Sequence, residues 1–446
     1  MLSPPRPSRV EEFFGVLSLP IAAAAIGVGV FALAQADRYL ATGLSFAIYV
    51  ALPITAGLGV LLTWRILPRH RATLGLVLVS IVLSTYFVEA GFALIEGRRI
   101  LAAQGADGDI DYVKRRHAEN PDIFPALSPR RLAVRRDGRW FRSTIDIDGQ
   151  EVLPLGGISN KTHLLCPTEG RWIEYAADEH GFNNPKGHWQ PDAADVVLIG
   201  DSFVQGYCVE VEQNIAGAMR QLGHRVLNLG LLGNGPLSEL AILAEWGPLV
   251  RPRHVVWFYW EGNDMGDLHR EKSTPLLLRY LEPGFHQNLA ARQQEIDAAL
   301  SRFVVDNLEK SRTRSLQNLS AADGWRKFVT LYRLRQTLGI EGDTAIAPDF
   351  VTLDKILRRA KALTESWGGR LTFVALPGAA TGEFARSAEI EKVTGLAKAL
   401  DLPVVDLIDA FLRAGGASKV FGPDGRSHYN ALGYSVIAWE LDALLR

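Results

Sequence analysis

Four short segments of this 446-residue chain hold residue types that could carry out acyl transfer together. The first is Gly200-Asp201-Ser202-Phe203. A serine in a tight strand-to-helix turn exposes its hydroxyl while neighbouring backbone amides point at the same place, the arrangement of an activated nucleophile. Alone, the tetrapeptide is better explained by a turn or a helix N-cap. The second is Asn228-Leu-Gly230-Leu-Leu-Gly233-Asn234-Gly235, whose glycines let a backbone amide approach a ligand closely. The third is Glu261-Gly262-Asn263-Asp264, where a neutral side-chain amide can donate to an oxyanion without adding charge. An ordinary Asx-turn explains it equally well. The fourth is Asp424-Gly-Arg-Ser-His428-Tyr-Asn430, in which a histidine can act as general base and a carboxylate can fix its tautomer.

These segments need a scaffold that brings them together. From Ala194 onward the pattern alternates short β-branched runs with helical stretches. Strands are expected at 196–199, 225–229, 254–260, 370–376 and 403–407. Helices are expected near 212–222, 238–246, 353–367, 389–400 and 431–444. Such alternation predicts an α/β fold with a parallel sheet, and ligands of these sheets bind beyond the carboxyl ends of the strands. Three of the four segments follow directly on predicted strands. A run from 265 to 342, rich in Arg, Gln, Glu and Leu at helical period, reads as a helical insertion that shapes the site entrance.

The first quarter differs. Through Gly97 the chain has six Arg, no Lys and five acids, whereas 42 basic and 44 acidic residues follow. Three apolar runs, 13–36, 41–64 and 72–95, each exceed the ~20 residues that cross a bilayer as a helix. Residues 1–96 are thus expected to form a transmembrane region, 97–190 a lead-in of loops and a few strands such as 172–175, and 191–446 the α/β domain. Arg65, Arg69 and Arg71 between the second and third runs mark that link as cytoplasmic, which sends everything past Gly97 to the outer side. Ala32-Leu-Ala34 resembles a signal-peptidase site, but the first run is longer than a signal core and reads as a retained anchor. Glu89 reads as an end-of-helix carboxylate reaching the outer interface.

In order, Gly200-Asp201-Ser202, Gly233, Gly262-Asn263-Asp264 and Asp424…His428 resemble the SGNH hydrolases, also called GDSL esterases, over about residues 194–446 apart from the insertion. The segments Asp178-Glu-His-Gly-Phe-Asn-Asn184 and Phe258–Asp264 look like those of bacterial membrane-anchored members. The resemblance implies a flavodoxin-like SGNH-hydrolase domain. It implies Ser202 as nucleophile and His428 as base. The Ser202 amide, the Gly233 amide and the Asn263 side chain would form the oxyanion hole. Gly233 is preferred to Gly230 because it lies five residues past Asn228, as in family members. The family places its aspartate three residues before the histidine, and here Asp424 lies four before. Either Asp424 or a backbone carbonyl then orients His428.

A formal net charge of −1 argues against nucleic acid as a partner, and neither a metal nor a cofactor is called for. Two cysteines, Cys166 and Cys208, are too few for a disulfide scaffold but can form one bridge in an extracytoplasmic compartment. Three functions stay open. One is a membrane-anchored, periplasmic serine esterase acting on an acyl ester of a surface carbohydrate or lipid. The second is an O-acyltransferase delivering an acyl group to a cell-surface polysaccharide. The third is a non-catalytic binding or assembly component of the cell envelope.

Overall fold

The structure is a computed structural model that describes residues 9–34, 46–105, 109–136, 140–168, 171–190, 194–317, 321–338, 348–378, 383–422 and 428–445. Two compact units are present: 1–108 with 312–347, and 109–311 with 348–446.

The first unit is built on three long helices, α1 (Arg9–Ala34), α2 (Leu52–Ile66) and α3 (Arg71–Gly105), with a π-helical turn at Ala47–Ala51 leading into α2. The segments Glu12–Ala34, Ala47–Ile66 and Pro68–Ile95 are long and apolar enough to cross a membrane. Without a hydrophobic driving force between helices in lipid, close packing needs small residues. Gly75 supplies one: a Cβ there would fall 1.7 Å from the Phe14 carbonyl oxygen, so α1 and α3 touch backbone to backbone. Arg71 closes the turn between α2 and α3. Its Nε donates to the Trp64 carbonyl at 2.8 Å, and its guanidinium lies 3.8 Å over the Trp64 ring.

Two expectations change here. The third helix does not stop near residue 95 but runs on to Gly105, because Arg98, Arg99 and the residues after them keep good helix propensity once clear of the apolar stretch. The expected insertion at 265–342 is also divided. Its part up to Ser311 belongs to the second unit, whereas the helices Ala321–Val329 and Tyr332–Thr337 pack in the first. There Glu89, fully buried, pairs with Arg333 at 3.1 Å and accepts the backbone N–H of Leu334 at 2.9 Å. Glu89 thus acts as a buried cap for the helix Tyr332–Thr337.

The second unit carries a five-stranded sheet: β1 (Val196–Ile199), β2 (Val226–Asn228), β3 (His254–Trp260), β4 (Arg370–Leu376) and β5 (Val404–Asp406). The spatial order is β5-β4-β3-β1-β2, with every neighbouring pair parallel. Residues of β1, β3 and β4 are buried on both faces, which is why these strands read as continuous apolar runs rather than alternating ones. The chain reverses direction across the sheet between β1 and β3, and the crevice at such a switch point is where ligands of open α/β sheets bind. Ser202 follows β1, and Asn263 follows β3.

Candidate active site

Ser202 opens a four-residue helix, Ser202–Gln205, that ends at Gly206 in the left-handed region (φ 88°). Asp201 caps this helix: its Oδ1 accepts the Phe203 N–H at 2.9 Å. Gly200 lets the turn close, since a Cβ there would lie 2.5 Å from the Val204 side chain. The hydroxyl of Ser202 is 2.8 Å from Nε2 of His428, a residue 226 positions away in the sequence. The His428 ring lies between Phe203 and Tyr207, with centroids 4.6 and 4.7 Å off. The backbone beyond it is pinned: Tyr429 Oη donates to the Pro377 carbonyl at 2.8 Å, and Asn430 Oδ1 caps the last helix by accepting the Gly433 N–H.

Asn263 comes to the same place. Its Nδ2 donates to Asp201 Oδ2 at 3.3 Å, so the residue before the serine orients the amide. Only the nitrogen end of the amide can serve a carboxylate, and one N–H remains for another acceptor. Ser202, Gly233, Asn263 and His428 are all half-buried, whereas Asp201, Asp264 and Asn228 beneath them are buried.

Gly230 and Gly233 of the second segment separate by role. The Gly230 N–H is accepted by Asn228 Oδ1 at 2.9 Å, and a Cβ on Gly230 would meet the Gln205 nitrogen at 2.4 Å. Gly230 therefore packs the loop on the Ser202 helix. Gly233 has φ +73°, and a Cβ there would be 2.7 Å from Ser128 Oγ, so only glycine suits the position. Gly262 is exposed and keeps the chain clear of the Trp260 indole.

Burial dominates the electrostatics. Asp201 is pushed up to about 6 by desolvation, against the hydrogen bonds it accepts from Phe203 and Asn263, and Asp264 and Glu239 are raised well above the carboxylate range by desolvation first and then by neighbouring carboxylates. Glu239 is fully buried, which favours the neutral acid. Asp264 Oδ2 accepts the Trp260 N–H at 2.8 Å, which shapes the turn that presents Asn263. Asp201 thus binds its proton more tightly folded (about 6) than at its ordinary value of 3.8. That contribution favours the folded state below about pH 4 and is lost as pH rises through about 6. Asp201→Asn is expected to flatten this part of the stability profile, read as near-UV circular-dichroism melting temperatures at several pH values across that window. An unchanged slope would remove Asp201 as its source.

No protein-family model and no curated protein matches the chain. Among solved structures it is similar to a lipolytic protein of the G-D-S-L family from Desulfitobacterium hafniense (13% identity, 56% of this chain, 98% of that one, TM-score 0.30). It is similar also to the lipase/acylhydrolase from Enterococcus faecalis (15% identity, 56% and 95%, TM-score 0.31) and to an acetyl xylan esterase (13% identity, 56% and 99%, TM-score 0.32). Similarity of this degree adds no weight to the reading of the site, which rests on the contacts above.

Several supporting residues escape the sequence reading. Gln205 Oε1 accepts the Leu232 N–H at 2.8 Å, holding the loop one residue before Gly233. Asp178 is buried and accepts four donors, from His180, Phe182, Asn184 and Trp189, each at 2.9 Å. Asn184 in turn exchanges two hydrogen bonds with the Asn228 backbone at the end of β2. The segment 178–184 is therefore a brace for the second loop. Its only sequence signal was the resemblance.

Cys166, on the lead-in strand Thr162–Thr168, is bonded to Cys208, 42 positions further along the chain, with Cα atoms 5.2 Å apart. Cys208 lies in the turn that follows the Ser202 helix, so the bridge ties that turn to the lead-in sheet. Closing a loop of this length corresponds to about 4 kcal/mol in the chain-entropy picture. Cys166→Ser with Cys208→Ser is expected to lower the melting temperature by several degrees, measured by differential scanning fluorimetry against the wild type with and without reductant. Equal melting of all samples would show that the bridge adds nothing.

Asp424 lies outside the described residues. No group of three or more His, Cys, Asp or Glu suited to a metal occurs among the described residues.

Proposed function

We propose that this chain is a membrane-anchored SGNH-type serine hydrolase that transfers acyl groups through a covalent acyl-enzyme. The observation that carries the reading is the 2.8 Å contact between Ser202 Oγ and His428 Nε2, which is within the reach a general base needs. The strand order 2-1-3-4-5, that of flavodoxin-like sheets, supports it by putting Ser202 and Asn263 on either side of the switch point.

His428 Nε2 takes the Ser202 proton as Oγ attacks the ester carbonyl. The carbonyl oxygen becomes an oxyanion, received by the Ser202 amide, the Gly233 amide and the free N–H of Asn263. The tetrahedral intermediate collapses, the carbon–oxygen bond to the alcohol breaks, and His428 returns its proton to the leaving alkoxide. Water or an acceptor hydroxyl then attacks the acyl-enzyme, His428 takes that proton, and Ser202 is regenerated. Asp424 is assigned to orient His428.

The surroundings of the reaction follow from the sequence. Arg65, Arg69 and Arg71 hold the second link in the cytoplasm, and the Cys166–Cys208 bridge suits an oxidising, extracytoplasmic compartment. The acyl donor is accordingly assigned to esters of surface carbohydrates or lipids. The test is fluorophosphonate labelling of the full chain followed by peptide mass spectrometry. A covalent adduct on Ser202, absent in Ser202→Ala, is expected. An inert Ser202 would leave the non-catalytic envelope component as the better reading. Acyl appearing on an added polysaccharide rather than as free acid would move the assignment to an O-acyltransferase.

A further inference from the structure

The segment 321–338 leaves the α/β unit in sequence and packs with the three long helices. Helix Ala321–Val329 places Trp325, Phe328 and Val329 on one side, at i, i+3 and i+4. Yet this apolar side is only partly covered. Phe328 packs at a tilt on Tyr86 of α3, ring centroids 5.3 Å apart, and Tyr86 Oη donates to the Val329 carbonyl at 3.0 Å. Trp325 remains 66% exposed, Val329 46% and Leu338 60%.

The contact with α3 sets the depth. Arg71 begins α3, and Glu89 lies 18 residues later, roughly 27 Å along the helix axis at 1.5 Å per residue. If Arg71 marks one edge of a ~30 Å hydrocarbon core, Glu89 lies close to the opposite edge. At that level Glu89 accepts the backbone N–H groups of Arg333 and Leu334, at 3.3 and 2.9 Å, and pairs with the Arg333 guanidinium. A carboxylate in a lipid-level helix is tolerated when it is paired and hydrogen-bonded in this way. Exposed apolar side chains thus occur both on 321–338 and on the part of α3 at this level, where Phe87 is 81% and Leu94 70% exposed. Its composition fits an interface as well. Besides Arg333, which Glu89 neutralises, the sequence of the segment has Arg326, Lys327 and Arg335 against one acid, Asp323, which favours anionic headgroups.

We infer that segment 321–338 is an in-plane membrane element, with Trp325, Val329 and Leu338 inserted among the lipids of the outer leaflet at the level of Glu89. The inference rests on the membrane-spanning reading of α1–α3. It gives the chain a second lipid contact, supplied by residues more than two hundred positions beyond the last span.

The test uses the full chain in bilayer nanodiscs of equal parts phosphatidylethanolamine and phosphatidylglycerol. Because Cys166 and Cys208 are bonded, a nitroxide can be placed selectively by Trp325→Cys or Leu338→Cys. Phe87→Cys serves as the lipid reference and Leu412→Cys, 51% exposed in the α/β unit, as the aqueous one. Collision with oxygen should exceed collision with a water-soluble nickel chelate several-fold at 325 and 338, as at 87. Chelate collision at 325 and 338 equal to that at 412, with 87 still lipid-exposed, would overturn the inference and leave the spans intact. Chelate access at 87 as well would overturn both.

Discussion

Ser202→Ala is expected to lower the turnover of a short aryl ester by on the order of 10⁴–10⁶-fold, with the fold unchanged. Ser202 is half-buried at the start of a short helix whose geometry is set by Asp201, Gly200 and Gly206 rather than by the hydroxyl. Removing the hydroxyl deletes the nucleophile and leaves those contacts in place. His428→Ala should cost a similar factor, because the two side chains act through one proton transfer across a single 2.8 Å contact. The double variant should then be little worse than either single one, since the second loss has nothing left to remove. Pre-steady-state and steady-state hydrolysis of the three variants provides the check. Additive losses would show that Ser202 and His428 contribute separately, which the acyl-enzyme mechanism does not permit. Near-wild-type turnover in Ser202→Ala would discard Ser202 as nucleophile.

Legibility of this molecule in its sequence follows the range of the interactions concerned. Strands His254–Trp260 and Arg370–Leu376 have the expected bounds, since both are buried runs of β-branched and aromatic residues closed by turn residues. The three helices long and apolar enough to cross a membrane are equally plain, because length and composition alone decide that property. The site residues stand out since each follows a strand end or precedes the last helix, where local turn chemistry shows. What stays hidden depends on distant partners. Nothing near Glu89 announces Arg333, 244 residues away, so the burial and pairing of this carboxylate are not legible locally. Nothing in the Leu-rich pattern of 265–342 shows that its second part packs with the spans while its first part stays with the sheet. Gln205 likewise reads as one more helix residue, and its bonds to Leu232 and to Tyr175 appear only when three separate segments meet.

The role of Asn263 makes a sharper demand on the mechanism than that of Ser202, because its side chain has two jobs with one amide. One N–H donates to Asp201, whose carboxylate also caps the Ser202 helix. In the proposed mechanism the other serves the developing oxyanion. Removing one such donor costs about 2.7–4 kcal/mol of transition-state stabilisation, so Asn263→Ala should reduce kcat by roughly 100–1000-fold. KM should change little, since the charge it serves exists only after attack. Asn263→Asp separates donor from shape. It keeps the size but places a second carboxylate against Asp201, and the pair will hold a proton between them. Activity in that variant should therefore fall as far as in the alanine variant above about pH 7 and recover in part at lower pH, where a protonated carboxyl can donate. Melting temperature separates catalysis from folding: the lost 3.3 Å contact is a single part-buried hydrogen bond, worth about 1 kcal/mol. A kcat within threefold of wild type for Asn263→Ala would take the side chain out of the oxyanion hole, leaving the Ser202 and Gly233 amides to carry the charge alone.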